Sequence, residues 1–124
     1  MNKMHKSINV FGKKLKSCCD NPKTGFFRDG YCNTCIEDYG MHTVCILVTE
    51  EFLEFSKSVG NDLSTPNPMF NFKGLKPGDR WCLCALRWKE ALDNNMAPPV
   101  FLDSTHYNTL KVLDITDLQK YAFN

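Results

Sequence analysis

The chain has 124 residues, a length that fits one domain and leaves little room for two. Its 43% hydrophobic content excludes wholesale disorder, and its net charge of +1 gives no broad field for nucleic acid or an acidic membrane surface. Its apolar runs are far shorter than the roughly 18 residues of a membrane span, and no export signal stands at the N-terminus, so a cytoplasmic protein is expected.

Residues 1–17 carry Lys3, Lys6, Lys13, Lys14 and Lys16 and no acid. Residues 1–8 read as a loose basic arm of a single 1–124 domain. Residues 18–42 are punctuated by Asn21-Pro22, Thr24-Gly25, Asp29-Gly30 and Tyr39-Gly40, the marks of a long ordered loop. Asp29-Gly30 is placed to turn a tight hairpin.

His42–Thr49 is β-branched and nearly all apolar, which predicts a buried strand. Thr49 is placed to cap a helix whose first turn holds Glu50 and Glu51. Phe52, Phe55, Ser56 and Val59 share one face of it, and Gly60 stops it. Residues 60–79 form a second long loop, in which Phe70, Phe72 and Leu75 are expected to pack against the sheet. Lys76-Pro77-Gly78-Asp79 fits a type II turn. Arg80–Leu86 reads as a strand with Cys82 and Cys84 on one face, followed by a helix over 87–94. Val100–Asp103 reads as a strand lying beside 80–86, and Thr105 as the cap of a short turn. Lys111–Ile115 alternates as a strand, and Thr116 is placed to cap a last helix over 117–123. The expected fold class is α+β: one small domain, a mixed sheet of about four strands with packed helices, and two long ordered loops.

The seven cysteines are Cys18, Cys19, Cys32, Cys35, Cys45, Cys82 and Cys84. The odd count and the missing export signal predict seven free thiols, most of them buried. Zinc is the metal that Cys32-x2-Cys35-x6-His42-x2-Cys45 would take. In a regular strand, however, the odd spacing of His42 and Cys45 sends them to opposite faces. A thiol or zinc enzyme centred on Cys82, Cys84 and His106 is the second candidate, with Arg80 and Arg87 favouring thiolate and His106 acting as base. Arg28, Asp29, Asp62, Asp79 and Arg80 flank the proposed strands and form a candidate pocket for a small anion. No phosphate loop, nucleophile elbow or paired-His motif is present. The leading functional reading is a non-catalytic module that binds a small molecule or a protein partner, with mainly buried thiols.

Several strings carry a likeness. They are Thr24-Gly-Phe-Phe-Arg-Asp-Gly30, His42-Thr-Val-Cys45, Phe52-Leu-Glu-Phe-Ser-Lys-Ser58 and Gly60-Asn-Asp-Leu-Ser-Thr-Pro66. Gly74-Leu-Lys-Pro-Gly-Asp-Arg-Trp-Cys-Leu-Cys-Ala85, Arg87-Trp88, Ala97-Pro-Pro-Val100 and Thr105-His106 complete the set. Together, from about Asn9 to Tyr121, they resemble the mostly bacterial family called domain of unknown function 2237. The chain departs from that pattern at Cys35, where Gly is usual, and at Cys19, where a small polar residue is usual. The resemblance implies no particular activity, substrate or cofactor.

Overall fold

A computed structural model describes residues 4–123. Strand β1, His42–Leu47, pairs antiparallel with β2, Arg80–Cys84. Helix α1, Glu50–Ser58, leaves β1 through Thr49, whose hydroxyl accepts the Phe52 N–H at 3.1 Å. Helix α2, Ala85–Asp93, follows β2 with no loop, and α3, Ile115–Lys120, is capped by Asp114. Short 3-10 turns cover Pro68–Phe70, Leu102–Ser104 and Tyr107–Lys111.

The ladder is smaller than the four strands expected. Val100 does not lie beside β2. It bridges Ile46 on the other edge of β1, and it touches Ala122 on its far side through a parallel bridge. The order is therefore β2, β1, then the 99–101 segment, which makes only isolated bridges. Pro98-Pro99 leaves that segment a missing amide donor just where a longer ladder would need it. Lys111–Ile115 is a second correction. Its first residue closes a 3-10 turn and its last opens α3, so the alternation of apolar residues there reflects burial of Leu113 and not a strand. The Asp29-Gly30 hairpin is likewise a turn without flanking strands.

The two faces of β1–β2 have different fates. Val44, Ile46 and Leu83 join Phe52, Trp88, Ala91, Val100 and Leu118 in the main core, all of them 1% exposed or less. The opposite face carries Cys45 and Cys82, which are cross-strand partners. Such partners have neighbouring side chains. Each ties down the long loop: Cys18 is bonded to Cys45 and Cys32 to Cys82. The expectation of seven free thiols is thus corrected. An odd count forbids complete pairing, but it leaves room for two disulfides and three free thiols, Cys19, Cys35 and Cys84. Loop residues 15–35 have no helix or strand of their own. Cross-links and backbone bonds, such as Cys18 N–H to Gly30 O at 2.8 Å, hold them against the sheet.

In the second long loop, Leu75 is buried and Phe72 meets the Trp81 ring with centroids 5.5 Å apart and planes tilted by 58°, but Phe70 stays exposed. The Lys76–Asp79 turn forms as expected: Asp79 N–H reaches Lys76 O at 3.0 Å, and Gly78 has φ +96, a conformation that suits glycine. Of the basic N-terminal segment, His5 N–H donates to Thr34 O at 2.8 Å and the Ser7 hydroxyl to Asn33 Oδ1 at 2.6 Å; residues 1–3 lie outside the described residues. Among the described residues no helix is long and apolar enough to cross a membrane.

Candidate functional site

Three features of local structure converge at the end of the ladder. Cys84 is the last residue of β2 and the cap position of α2, where β2 turns directly into helix. Its side chain makes no capping bond. Opposite it in the register stands His42, with an irregularity between His42 and Val44. Normal alternation would place Thr43 opposite Cys84, because Val44 is opposite Leu83. The bulge adds one residue and turns His42 to the face of Cys84. Bulges commonly re-aim a side chain in this way.

The third feature is the turn before β1. Asp38 is fully buried at its side chain, and its carboxylate accepts three bonds. The Thr34 hydroxyl donates at 2.9 Å, the His42 backbone N–H at 3.0 Å, and His42 Nδ1 at 2.6 Å. Burial is the largest influence on this carboxyl and works upward. The hydrogen bond and charge of His42, with the Thr34 hydroxyl, outweigh it and hold Asp38 below its usual range. His42 is pushed up to about 10, first by its bond to Asp38 and then by the neighbouring Cys84 side chain, against an opposing effect of burial. The outcome is a row of carboxylate, imidazole and thiol, in which Asp38 fixes the orientation of the ring. Phe26 lies over the imidazole with centroids 6.3 Å apart and planes 28° apart.

Gly40 bridges the two ends of this row. A Cβ at Gly40 would sit 2.9 Å from His42 Cε1 and 3.2 Å from Cys84 Sγ, so only glycine leaves both groups in place. Gly40→Val is therefore expected to displace the ring and let the His42 titration fall from about 10 toward its ordinary value. Proton NMR of the imidazole across a pH series reads this directly; an unmoved titration would mean that the row does not depend on the gap above it.

A cleft of about 330 Å³ opens beside the thiol, lined by Tyr39, Gly40, Met41, Cys84, Leu86, Arg87 and Glu90. Its wall is largely apolar, with the Arg87–Glu90 ion pair at 3.1 Å on one side. The Ala85 N–H is already bonded to Met41 O at 3.0 Å, which locks the turn before β1 onto the first residue of α2.

The site residues expected from sequence are distributed differently. Cys82 is locked in a disulfide and is not a partner of Cys84. His106 follows the 99–101 segment to the far edge of β1, where its N–H bonds Thr43 O at 2.9 Å. Both of its ring nitrogens are engaged: Nε2 donates to Lys6 O at 2.9 Å and Nδ1 accepts the Asn108 N–H at 3.0 Å. Burial pushes its titration down, only partly offset by the Lys6 carbonyl, so it is a neutral, structural imidazole. The Cys32, Cys35, His42 and Cys45 set is not assembled, since Cys32 and Cys45 are cross-linked elsewhere, His42 turns to Asp38, and Cys35 is a separate buried thiol.

Arg28, Asp29, Asp62, Asp79 and Arg80 do not converge on one pocket. The Arg28 guanidinium donates to Gly25 O at 2.6 Å, and lies 5.4 Å from the Trp81 ring beside a cavity of about 490 Å³. Asp29 accepts the Asn33 amide and the Tyr31 N–H, Asp62 binds Ser64 and Thr65, and Asp79 accepts the Lys76 N–H. Arg80 covers the Phe101 ring at 3.9 Å. Sequence reasoning missed Asp38 and the role of His42. The signal within reach was Asp38-x3-His42, four residues apart, ahead of a strand carrying a partner for Cys84.

The linked Asp38–His42 pair sets a pH signature on stability. A raised His42 stabilises the fold in full below its unfolded value of 6.5, and this contribution is lost as pH rises toward about 10. A lowered Asp38 contributes above its unfolded value of 3.8, and that part is lost as pH falls through its folded value. Between about pH 4 and 6.5 both are present. The stability gap between the protein and a His42→Gln variant should be widest near pH 6 and shrink by pH 10 in urea titrations; a gap independent of pH would contradict the coupling.

Among comparisons with known proteins, no curated protein matches the chain. One family model does, described as "Uncharacterized protein conserved in bacteria (DUF2237)", and it covers residues 8–122. With strands, helices and the Asp38–His42–Cys84 row all inside that span, the chain belongs to this family.

Proposed function

We propose that the protein is a thiol-dependent enzyme in which Cys84 is the nucleophile, His42 its proton acceptor and Asp38 the residue that positions His42. The observation that carries this reading is the row itself: a free, half-buried thiol against an imidazole whose other side is held at 2.6 Å by a buried carboxylate. Thiol nucleophiles require such a base, and a third group to orient it. Cys84 also stands at the N-terminus of the nine-residue helix α2, where backbone amides favour negative charge.

The reaction class that fits is acyl transfer. Cys84 Sγ forms a bond to the carbonyl carbon of an activated acyl group, and the bond from that carbon to the leaving group breaks. In the paired resting state the thiol's proton already sits on His42, which passes it to the leaving group. Water then attacks the thioester, one of its protons goes to His42, and the acid leaves with the thiol restored. The apolar wall of Tyr39, Met41 and Leu86 suits the body of a small substrate, with Arg87 beside it for an anionic end.

Cys19 provides an internal control, since it is also a free thiol of intermediate exposure. With limiting iodoacetamide at neutral pH and peptide mass mapping, Cys84 should be modified at least tenfold faster than Cys19. A p-nitrophenyl ester should leave its acyl group on Cys84, and Cys84→Ser should remove that adduct. Equal alkylation of the two thiols, with no acyl adduct, would overturn the reading.

A further inference from the structure

The four cross-linked cysteines form a second cluster, separate from the Cys84 row. Cys18, Cys32, Cys45 and Cys82 are each 3% exposed or less and together make a small buried group, with the partly buried Phe101 packed against it. The two disulfides are not dispersed through the fold. Sulfurs from both of them meet: those of Cys18, Cys32 and Cys82 all lie within 4.8 Å of one another, and the fourth, Cys45, is the bonded partner of Cys18. Two of the four residues, Cys45 and Cys82, are fixed as cross-strand partners on the ladder, and the other two come from the long loop.

Four thiolates on a tetrahedral zinc ion, each about 2.3 Å from the metal, lie about 3.8 Å apart. Three of the four sulfurs, those of Cys18, Cys32 and Cys82, already lie within 4.8 Å of one another, close to that spacing. We propose that the reduced chain binds a single Zn²⁺ through Cys18, Cys32, Cys45 and Cys82, so that disulfide pairing and metal binding are alternative states of the same four sulfurs. Each disulfide takes two electrons from a thiol, which becomes a disulfide, or from a phosphine, which becomes a phosphine oxide; the two protons come from the reducing thiols or, with the phosphine, from the water that supplies the oxide oxygen. The four thiols then release four protons as four sulfur–metal bonds form. The ion cancels two of the four thiolate charges, which a dry cluster needs before it can bury them. Four buried sulfurs leave no open position, the arrangement of a structural and not a catalytic zinc.

The site does for the reduced chain what the disulfides do for the oxidised one. Without either, residues 15–35 would have no cross-link to the sheet, and the turn bearing Asp38 lies three residues beyond that loop.

The test uses the full chain, reduced with a phosphine, stripped of metal and kept anaerobic, then titrated with Co²⁺. One equivalent should bring the visible bands of tetrahedral cobalt with sulfur-to-metal charge transfer, and one equivalent of Zn²⁺ should abolish them. Native mass spectrometry should find a single zinc with four protons displaced. Cys45→Ser and Cys82→Ser should each lose the four-sulfur spectrum, whereas Cys35→Ser and Cys84→Ser keep it. The oxidised chain, with its four sulfurs consumed, should show none of these bands. Absence of stoichiometric binding by the reduced chain, or bands that survive Cys45→Ser and Cys82→Ser but vanish with Cys84→Ser, would overturn the proposal. Both readouts work even where a variant is unfolded without metal.

Discussion

Replacing His42 with Ala should slow alkylation of Cys84 by on the order of 100-fold at neutral pH, the low end of what a positioned base contributes. The rate at Cys19 should not change. The two thiols are both half-buried, so a difference confined to Cys84 measures the imidazole and not general access. His42 is held up to about 10 by Asp38 and by Cys84, so at neutral pH the ring holds a proton in the paired state. Removing the ring removes the group that carries the thiol's proton. Asp38→Asn keeps the shape but loses the charge. Its expected effect is smaller, about tenfold, because His42 remains in place with a neutral partner. A positioning role predicts more than a slower reaction. The His42 titration should move down in Asp38→Asn, and the upper limb of the alkylation pH profile should move with it. If His42→Ala leaves the ratio of Cys84 to Cys19 rates unchanged, the histidine is a structural neighbour of Asp38 and the thiol needs no base.

The parts of this site that could be read from the sequence, and those that could not, divide along a physical line. Local chemistry was legible. The β-branched run of β1, the Thr49 cap of α1, the Pro-Gly turn at Lys76–Asp79 and the strand expected over Arg80–Leu86 depend on near neighbours, and each is found, the last ending early at Cys84. Cys82 and Cys84 were placed on one strand, and Cys84 was placed in the candidate site. Pairing across the chain was not legible. Setting Val100 beside β2 would have carried His106 toward Cys84. The bridge from Val100 to Ile46 carries it instead to the other edge of β1, where its ring serves Lys6 and Asn108. The parity of His42 was misread for a related reason. Alternation along a regular strand excludes His42 from the cysteine face, and a single extra residue at Thr43 reverses that. Helix α2 beginning at Ala85 and not at Arg87 mattered as well, because it makes Cys84 the residue at the helix start. The disulfides were out of reach because spacing does not reveal that Cys18 and Cys45, 27 residues apart, meet across a loop.

The largest stability effect should come from the helical face of the sheet, which supports the site from behind. Trp88→Ala should destabilise the protein by about 3–5 kcal/mol, the cost of a large cavity in a closed core. Trp88 is completely buried, its indole N–H donates to Pro98 O at 3.1 Å, and Tyr121 meets it edge-on with centroids 5.7 Å apart. The side chain therefore joins α2 to both the Pro98-Pro99 segment and the end of α3. Its removal leaves a void and an unpaired carbonyl, and Tyr121 cannot collapse into the space while its carbonyl holds the Val100 N–H at 2.8 Å. Trp88→Phe separates the two losses. It keeps most of the volume and forfeits the hydrogen bond, for about 1–3 kcal/mol. Trp81 is the contrast: it is on the edge of the core, 8% exposed, and packs on Phe72 from the second loop, so Trp81→Ala should cost less than Trp88→Ala. Urea titrations of the oxidised proteins give the order directly. Should Trp81→Ala prove the more damaging, the loop and not α2 would be what holds β2, and Cys84 at its end, in position.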